Sequence, residues 1–382
     1  MNEATTQVDR YQRLVLKVGS ALVAPGDEGV STQHLLGIAR FVIEARERGR
    51  EVILVSSGAV AAGGAAQDGA VRPGHRSIPE KQGLAAVGQP LLMAHWNRLF
   101  DFPCAQVLLT HGDLHERTRF VNAKNTLSQL LDLGTLPVVN ENDTVATEEL
   151  GVGDNDNLAA HAAVLAEADA LVLCTDVDGL YDADPRTHPG AQIVPVVDEI
   201  DEHIYAMAGG GAGTQAATGG MRTKIEAAEK ATARGIDTMI VNGIDAARLD
   251  ALHDGTVRGT LFRRAETPMG ARKHWMLHAL PSAGRILVDE GAAEALRRRG
   301  ASLLPPGVVG AEGDFARGDA VEIAVQANGH AAEVIAKGIT QYGHRDLRRI
   351  RGHQSDEVRR ILKDAPAELV VQRDDLVVMR EG

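Results

Sequence analysis

Residues 13–20 read Arg-Leu-Val-Leu-Lys-Val-Gly-Ser, RLVLKVGS. An apolar run broken by a single lysine and stopped by Gly-Ser describes a strand buried on both faces. A helical stretch follows over residues 31–48, where Leu35, Leu36, Ile38, Ala39, Val42 and Ile43 recur at helical spacing. Ser31 suits its N-cap and Gly49 its end. The next apolar run is EVILVS, residues 51–56. Outward from this unit the pattern repeats. Helical stretches at 80–100, 119–133, 157–165 and 221–234 precede apolar runs at 104–110, 136–140, 170–175 and 237–242, respectively. Strand, helix, strand at this spacing predicts right-handed βαβ units, a mostly parallel sheet and helices on both faces, an αβα sandwich. Ligands of such sheets bind beyond the carboxyl ends of the strands.

The alternation stops near Leu261. After a turn-prone segment come short runs at 285–288, 320–325 (AVEIAV) and 333–339 (EVIAKGI), separated by LPPGVVG and GDFARGD. These predict a small β-rich barrel or sandwich. The expected organisation is a flexible N-terminal tail over 1–12, an α/β domain over 13–277, a β-rich domain over 283–360 and a C-terminal extension over 361–382.

Of 382 residues, 44% are hydrophobic and 24% charged, which excludes a disordered chain. Forty Lys and Arg against 52 Asp and Glu leave a net charge of −12, which disfavours a general polyanion-binding surface but permits local basic sites. The two cysteines, Cys104 and Cys174, lie in apolar runs and suit small buried hydrophobes of a reducing compartment. The first ten residues carry no apolar core of a signal peptide, and no apolar run reaches 18 residues. A cytoplasmic protein without membrane spans is expected.

The strand ends carry the chemistry. Lys17-Val18-Gly19-Ser20 can turn an ammonium and backbone N–H groups toward a phosphate, or be a solvated turn. Ser56-Ser57-Gly58-Ala59 and Gly63-Gly64 offer small residues for close backbone approach, or a plain strand-to-helix turn. Asn140-Glu141-Asn142-Asp143 exceeds what a turn needs and could hold the ammonium and carboxylate of a polar substrate. In Gly151-Val152-Gly153-Asp154-Asn155-Asp156-Asn157, an N-cap accounts for one aspartate, not both. Asp176-Val177-Asp178-Gly179 follows the fifth strand. A glycine run over 209–213 leads to Thr218-Gly219-Gly220-Met221-Arg222-Thr223-Lys224 at a helix start, the ingredients of a phosphate cradle. Neither GxxxxGK[ST] nor a complete GxGxxG occurs, which counts against a dinucleotide dehydrogenase. Together these ends are equipped for in-line phosphoryl transfer.

LVLKVGS, VSSGAVAAG, NENDTV, VGDNDNLAA, TDVDGLYDADPR and TGGMRTK occur in that order over residues 14–224. On these segments the sequence resembles the amino acid kinase family, specifically its glutamate 5-kinase group. GRILVDEGAAEAL, RGDAVEIA and IAKGIT resemble the PUA domain that many of that group carry. The resemblance implies ATP-dependent phosphorylation of the γ-carboxylate of L-glutamate to glutamyl 5-phosphate, the first step of proline synthesis. Lys17 and Lys224 match the lysines that neutralise ATP phosphates, and Asp156 an aspartate that organises them. Ser57, Asp143 and Asn155 match glutamate-binding positions. Gly19 and Ser20 match the loop beneath the transferring phosphoryl group. Thr175, Asp176 and Thr218 to Lys224 (Gly219, Gly220, Met221, Arg222 and Thr223 included) match ATP-binding segments. Arg222 is bulkier than expected in that loop, and its side chain is expected to face solvent. Mg²⁺ is implied with ATP; no dedicated protein metal cage is expected. Inhibition by proline and a homo-oligomer, dimeric or tetrameric, are implied as well.

A carboxylate is already a nucleophile at neutral pH, so no general base is required, and His111, His115 and His161 are not assigned chemistry. Three other functions remain open: another amino acid kinase, such as one for N-acetylglutamate or aspartate; an RNA-binding protein acting through the PUA domain, whose basic clusters at 297–299 and 345–351 read more simply as solvated helix faces; and a non-catalytic amino acid sensor.

Overall fold

The computed structural model describes residues 4–5, 11–26, 29–67, 77–146, 154–208, 220–266, 280–299, 301–325, 332–362 and 369–379. The chain forms two compact units, Met1–Pro268 and Met269–Gly382.

The first unit is built on an eight-stranded sheet. Its strands are β1 (Arg13–Val18), β2 (Glu51–Ser56), β3 (Cys104–Leu109), β4 (Leu136–Glu141), β5 (Ala170–Thr175), β6 (Val196–Val197), β7 (Asp237–Asn242) and β8 (Gly259–Phe262). The spatial order is β3-β4-β2-β1-β5-β7-β8-β6. From β3 to β7 every pairing is parallel. β8 pairs antiparallel with β7 and parallel with β6, so the last two strands run against the rest. The principal helices are α1 (Thr32–Glu47), α2 (Ala59–Ala66), α3 (Ile78–Leu99), α4 (Arg117–Asp132), α5 (Asp154–Leu165), α6 (Met221–Thr232) and α7 (Ala246–His253). The Ser31 side chain accepts from Gln33 N, as an N-cap does.

The alternation of strand side chains sorts the core into two layers. Leu14, Leu16 and Val18 pack with Leu35, Ile38, Phe41 and Leu92 on one face. Val15, Ile53 and Val55 pack with Leu158, Ala162, Ile225 and Ala228 on the other. Lys17 shares the parity of Val15, so it enters the layer of α5 and α6. Its register neighbours are Val55 and Leu173, which places a lysine inside an otherwise apolar sheet centre.

Two glycines fix how α2 and α3 meet. A Cβ on Gly63 would lie 1.9 Å from Leu84 O, and one on Gly88 1.8 Å from Ala59 O. Backbone therefore packs on backbone here. The small residues at 63 serve helix packing, not the approach of a ligand. Gly58, before α2, has φ of 108°, a left-handed conformation that glycine adopts without strain.

The N-terminal segment is not wholly a tail. Ala4–Thr5 pairs antiparallel with Thr256–Val257, and buried Tyr11 donates from its hydroxyl to Asp237 Oδ2 at 2.7 Å. Backbone pairing and apolar burial hold these residues where polarity alone suggests a loose end.

The second unit is a five-stranded sheet of β9 (Gly284–Val288), β10 (Val308–Gly313), β11 (Ala320–Val325), β12 (Glu333–Thr340) and β13 (Val371–Val378), in the order β10-β9-β11-β12-β13. Only β9 and β11 pair in parallel. Three helices, α8 (Glu290–Arg299), α9 (His344–Ile350) and α10 (Ser355–Ile361), accompany it, and Leu296, Leu347, Ile350 and Val358 join its core. The segment beyond residue 360 adds a full strand, β13, to this sheet, and Val370, Val371 and Leu376 are buried in its core. Among the described residues no helix is long and apolar enough to cross a membrane.

Candidate active site

Backbone bonds lace the strand ends together. Gly19 N donates to Cys174 O at 3.3 Å, Ser57 N to Val18 O at 3.2 Å, and Gly243 N to Thr175 O at 2.8 Å. The loops after β1, β2, β5 and β7 thus share one frame at the carboxyl edge of the sheet. A Cβ on Gly19 would stand 3.4 Å from Cys174 O and 3.7 Å from Lys17 Nζ. Glycine there keeps the space beside the ammonium open to a phosphate oxygen.

Three buried charges meet at this edge. Lys17 Nζ lies 2.5 Å from Asp156 Oδ1, and Lys224 Nζ 3.1 Å from Asp156 Oδ2. One carboxylate is shared by two ammonium groups from β1 and α6. All three side chains are buried, Asp156 completely. Thr223 Oγ1 donates to Asp156 Oδ2 at 2.8 Å, and Lys224 Nζ to Gly220 O at 3.2 Å. Burial is the largest influence on Lys17 and, with Lys224 nearby, holds its pKa below the usual lysine value despite Asp156. Burial alone would raise the Asp156 carboxyl; the two lysines and Thr223 outweigh it and keep its pKa below the ordinary carboxylate value. Two cations against one anion leave a buried positive excess, which is costly without an anionic ligand and suits a polyphosphate.

Beside the charges lies a chain of amides. Asn155 Nδ2 donates to Ser57 Oγ at 2.9 Å, to Ser56 O at 3.2 Å and to Asn140 Oδ1 at 2.9 Å. Asn140 Oδ1 also accepts from Glu141 N at 2.9 Å, and Asn140 Nδ2 donates to Gln89 Oε1 at 2.8 Å. Trp96 Nε1 donates to Ser56 Oγ at 2.9 Å. Asp143 is half-buried in the loop after β4.

The other expected residues fall around these two centres. Ser20 is exposed at the start of the short helix Ser20–Val23. Thr175 is buried at the end of β5 and donates to Asp176 Oδ1 at 3.1 Å; Asp176 is exposed. Asp178 is held by Asn242 Nδ2 at 2.8 Å and Arg248 at 3.0 Å, a structural use of that loop. Gly220, Met221, Arg222, Thr223 and Lys224 open α6. Arg222 is 61% exposed, pairs with Glu226 at 3.1 Å and lies over the Tyr205 ring. Thr218 and Gly219 lie outside the described residues, as do the 209–213 glycines and Gly151 to Gly153. His111 and His161 meet edge to face at 6.0 Å. Burial pushes the Cys174 thiol up to about 12. Among the described residues no group of three His, Cys, Asp or Glu could hold a metal ion.

The sequence pointed to Lys17, Asp156 and Lys224, and the fold brings them together. Gln89 and Trp96 were not picked out, because they sit mid-helix with no motif around them. A glutamine on the buried side of α3 was the one available signal.

A mostly parallel α/β sheet with a buried lysine pair at its carboxyl edge is the framework of a phosphotransferase. The chain belongs to the amino acid kinase family, which matches residues 12–242, and carries a PUA domain at residues 284–362. Within the family it groups with the glutamate 5-kinases. It is 66% identical to the glutamate 5-kinase of Salinibacter ruber over 98% of this chain and 99% of that one. It is 51% identical to the glutamate 5-kinase of Idiomarina loihiensis over 97% and 99%, respectively.

Proposed function

We propose that the chain transfers the γ-phosphoryl group of ATP to the γ-carboxylate of L-glutamate, with Lys17, Lys224 and Asp156 as the phosphate half of the site and Ser57, Asp143 and Asn155 as the glutamate half. The observation that carries this assignment is the buried Lys17–Asp156–Lys224 bridge, adjacent in sequence to the Asn155 amide chain. A carboxylate oxygen attacks Pγ, the bond from Pγ to the β-bridging oxygen breaks, and ADP leaves. No proton need move, because the nucleophile is already ionised. The lysines stabilise charge on the equatorial and bridging oxygens, and Asp156 holds them apart and oriented. Mg²⁺ entering with the nucleotide would neutralise further phosphate charge. Gly19 and Ser20 line the loop under the phosphoryl group; Thr175, Asp176 and the segment 218–224 serve ATP. The Arg222 pairing with Glu226 supports a solvent-facing side chain. Inhibition by proline, a dimeric or tetrameric assembly and a cytoplasmic location accompany this proposal.

The test is ATP turnover with hydroxylamine as an acyl-phosphate trap, with L-glutamate, N-acetylglutamate, aspartate and UMP compared side by side. Hydroxamate from L-glutamate alone is expected. Preferred turnover of another acceptor would keep the lysine roles and overturn the substrate. Added proline and light scattering test the inhibition and the assembly.

A further inference from the structure

The amide chain has a fixed direction, and the direction is set by backbone. Glu141 N is a donor only, so the Asn140 atom facing it is Oδ1. Ser56 O is an acceptor only, so the Asn155 atom facing it is Nδ2. Asn140 Nδ2 is thereby turned to Gln89, which must answer with Oε1. All three acceptors around Asn155 consume its NH₂ group. Its Oδ1 has no partner among the described residues. Gln89 is about nine-tenths buried, and its Nε2 has no partner there either.

We propose that Gln89 is a positioning residue for the substrate. By accepting from Asn140 it steadies the relay that the backbone has oriented, so that Asn155 holds Oδ1, an acceptor, in place for the ammonium group of the amino-acid substrate. Loss of that contact leaves the Asn140 amide held by Glu141 N alone, so its plane can tilt and Asn155, which donates to it, loses its fixed position. Gln89 touches no reacting atom in this scheme; it acts through two carboxamides. The seat of Gln89 is rigid, since the neighbouring Gly88 packs against Ala59 O. This inference rests on the glutamate assignment above.

The experiment compares Gln89→Met, which removes the acceptor at nearly constant length, with Gln89→Glu, which retains an oxygen toward Asn140. Three quantities are read: KM for L-glutamate, KM for ATP, and the inhibition constant of glutarate, which has both carboxylates and no ammonium. For Gln89→Met the KM for L-glutamate should rise about tenfold, the scale of one lost hydrogen bond to a charged group. The KM for ATP, kcat and the glutarate constant should stay within about threefold, the scatter allowed by context. Gln89→Glu should restore the KM. A parallel rise for glutamate and glutarate, or an unchanged KM for glutamate, would overturn the role. Should Gln89→Met not fold, a KM for glutamate raised in Gln89→Glu beyond that margin would do the same. Wild-type protein that makes no hydroxamate from L-glutamate sinks the substrate assignment instead, so the two failures are distinct.

Discussion

Asn155 and Asp156 are consecutive in the first turn of α5, yet their side chains serve different halves of the site. Asn155 binds Ser57, Ser56 and Asn140; Asp156 binds Lys17 and Lys224. A helix turns about 100° per residue, so neighbours diverge by that angle. One turn of helix therefore holds the two clusters at a set separation, and under the proposed assignment, in which they take the nucleophile and the phosphate, that is what an in-line transfer requires.

Removing either lysine should act on rate. Lys17→Ala or Lys224→Ala is expected to lower kcat by roughly 10²–10³, the cost of losing one preorganised donor to developing charge. Each variant still leaves Asp156 one cation, so the melting temperature should change little. Hydroxamate kinetics and thermal melting check both; near-normal turnover in a folded variant would contradict the assignment.

The pH dependence has a defined sign. Lys17 titrates below its ordinary 10.5. As pH rises through that lowered value the ammonium is lost, so kcat/KM for ATP should fall on an alkaline limb below 10.5. Asp156→Asn removes the influence that raises the Lys17 pKa, and should move the limb to lower pH. Asp156 has the opposite linkage. Its depressed pKa contributes stability above the unfolded value of 3.8, lost as pH falls through the lower folded value.

Asn155→Ala should divide the kinetics by substrate. The KM for L-glutamate is expected to rise about tenfold or more, with the KM for ATP nearly constant, because a lost charge-assisted contact is confined to one ligand. Equal rises in both would show that the two halves are not separable.

Gly88→Ala should destabilise the first unit. A methyl group 1.8 Å from Ala59 O cannot be relieved by a rotamer and must push two helices apart. A loss of about 3 kcal/mol or more is expected for such overpacking. Denaturant unfolding reads it, and a stability near wild type would show that the contact yields.

Ending the chain after Arg360 should damage the second unit. The truncation removes β13, leaves β12 as an open edge and uncovers the apolar residues that Val371 and Leu376 cover. Loss of solubility or of a cooperative transition for this unit is expected by light scattering and calorimetry.

The central strands were legible because each is a nearly continuous apolar run between helical stretches: EVILVS at 51–56 and ALVLCT at 170–175 are strands to the residue. β6, two residues long, and β8, which reverses direction, carry no period that a local pattern could reveal. β13 was missed for another reason: VQRDDLVV holds three charges and reads as a polar tail, and only its pairing with β12 buries it. At the site, charged residues beside glycines announced themselves. Gln89 and Trp96 did not, because their importance lies in which strand end they meet across α3, a fact of tertiary packing.

The bonds that lace the strand ends, Gly19 N to Cys174 O, Ser57 N to Val18 O and Gly243 N to Thr175 O, are made entirely by main chain. Away from the glycines that make them, a point substitution changes a side chain and leaves these bonds in place unless it introduces proline. The frame on which the lysines and the carboxamides are mounted is therefore insulated from most single mutations, while the carboxamides mounted on it are not. A descendant of this chain could exchange its acceptor substrate one amide at a time without having to reinvent the platform that delivers the phosphoryl group.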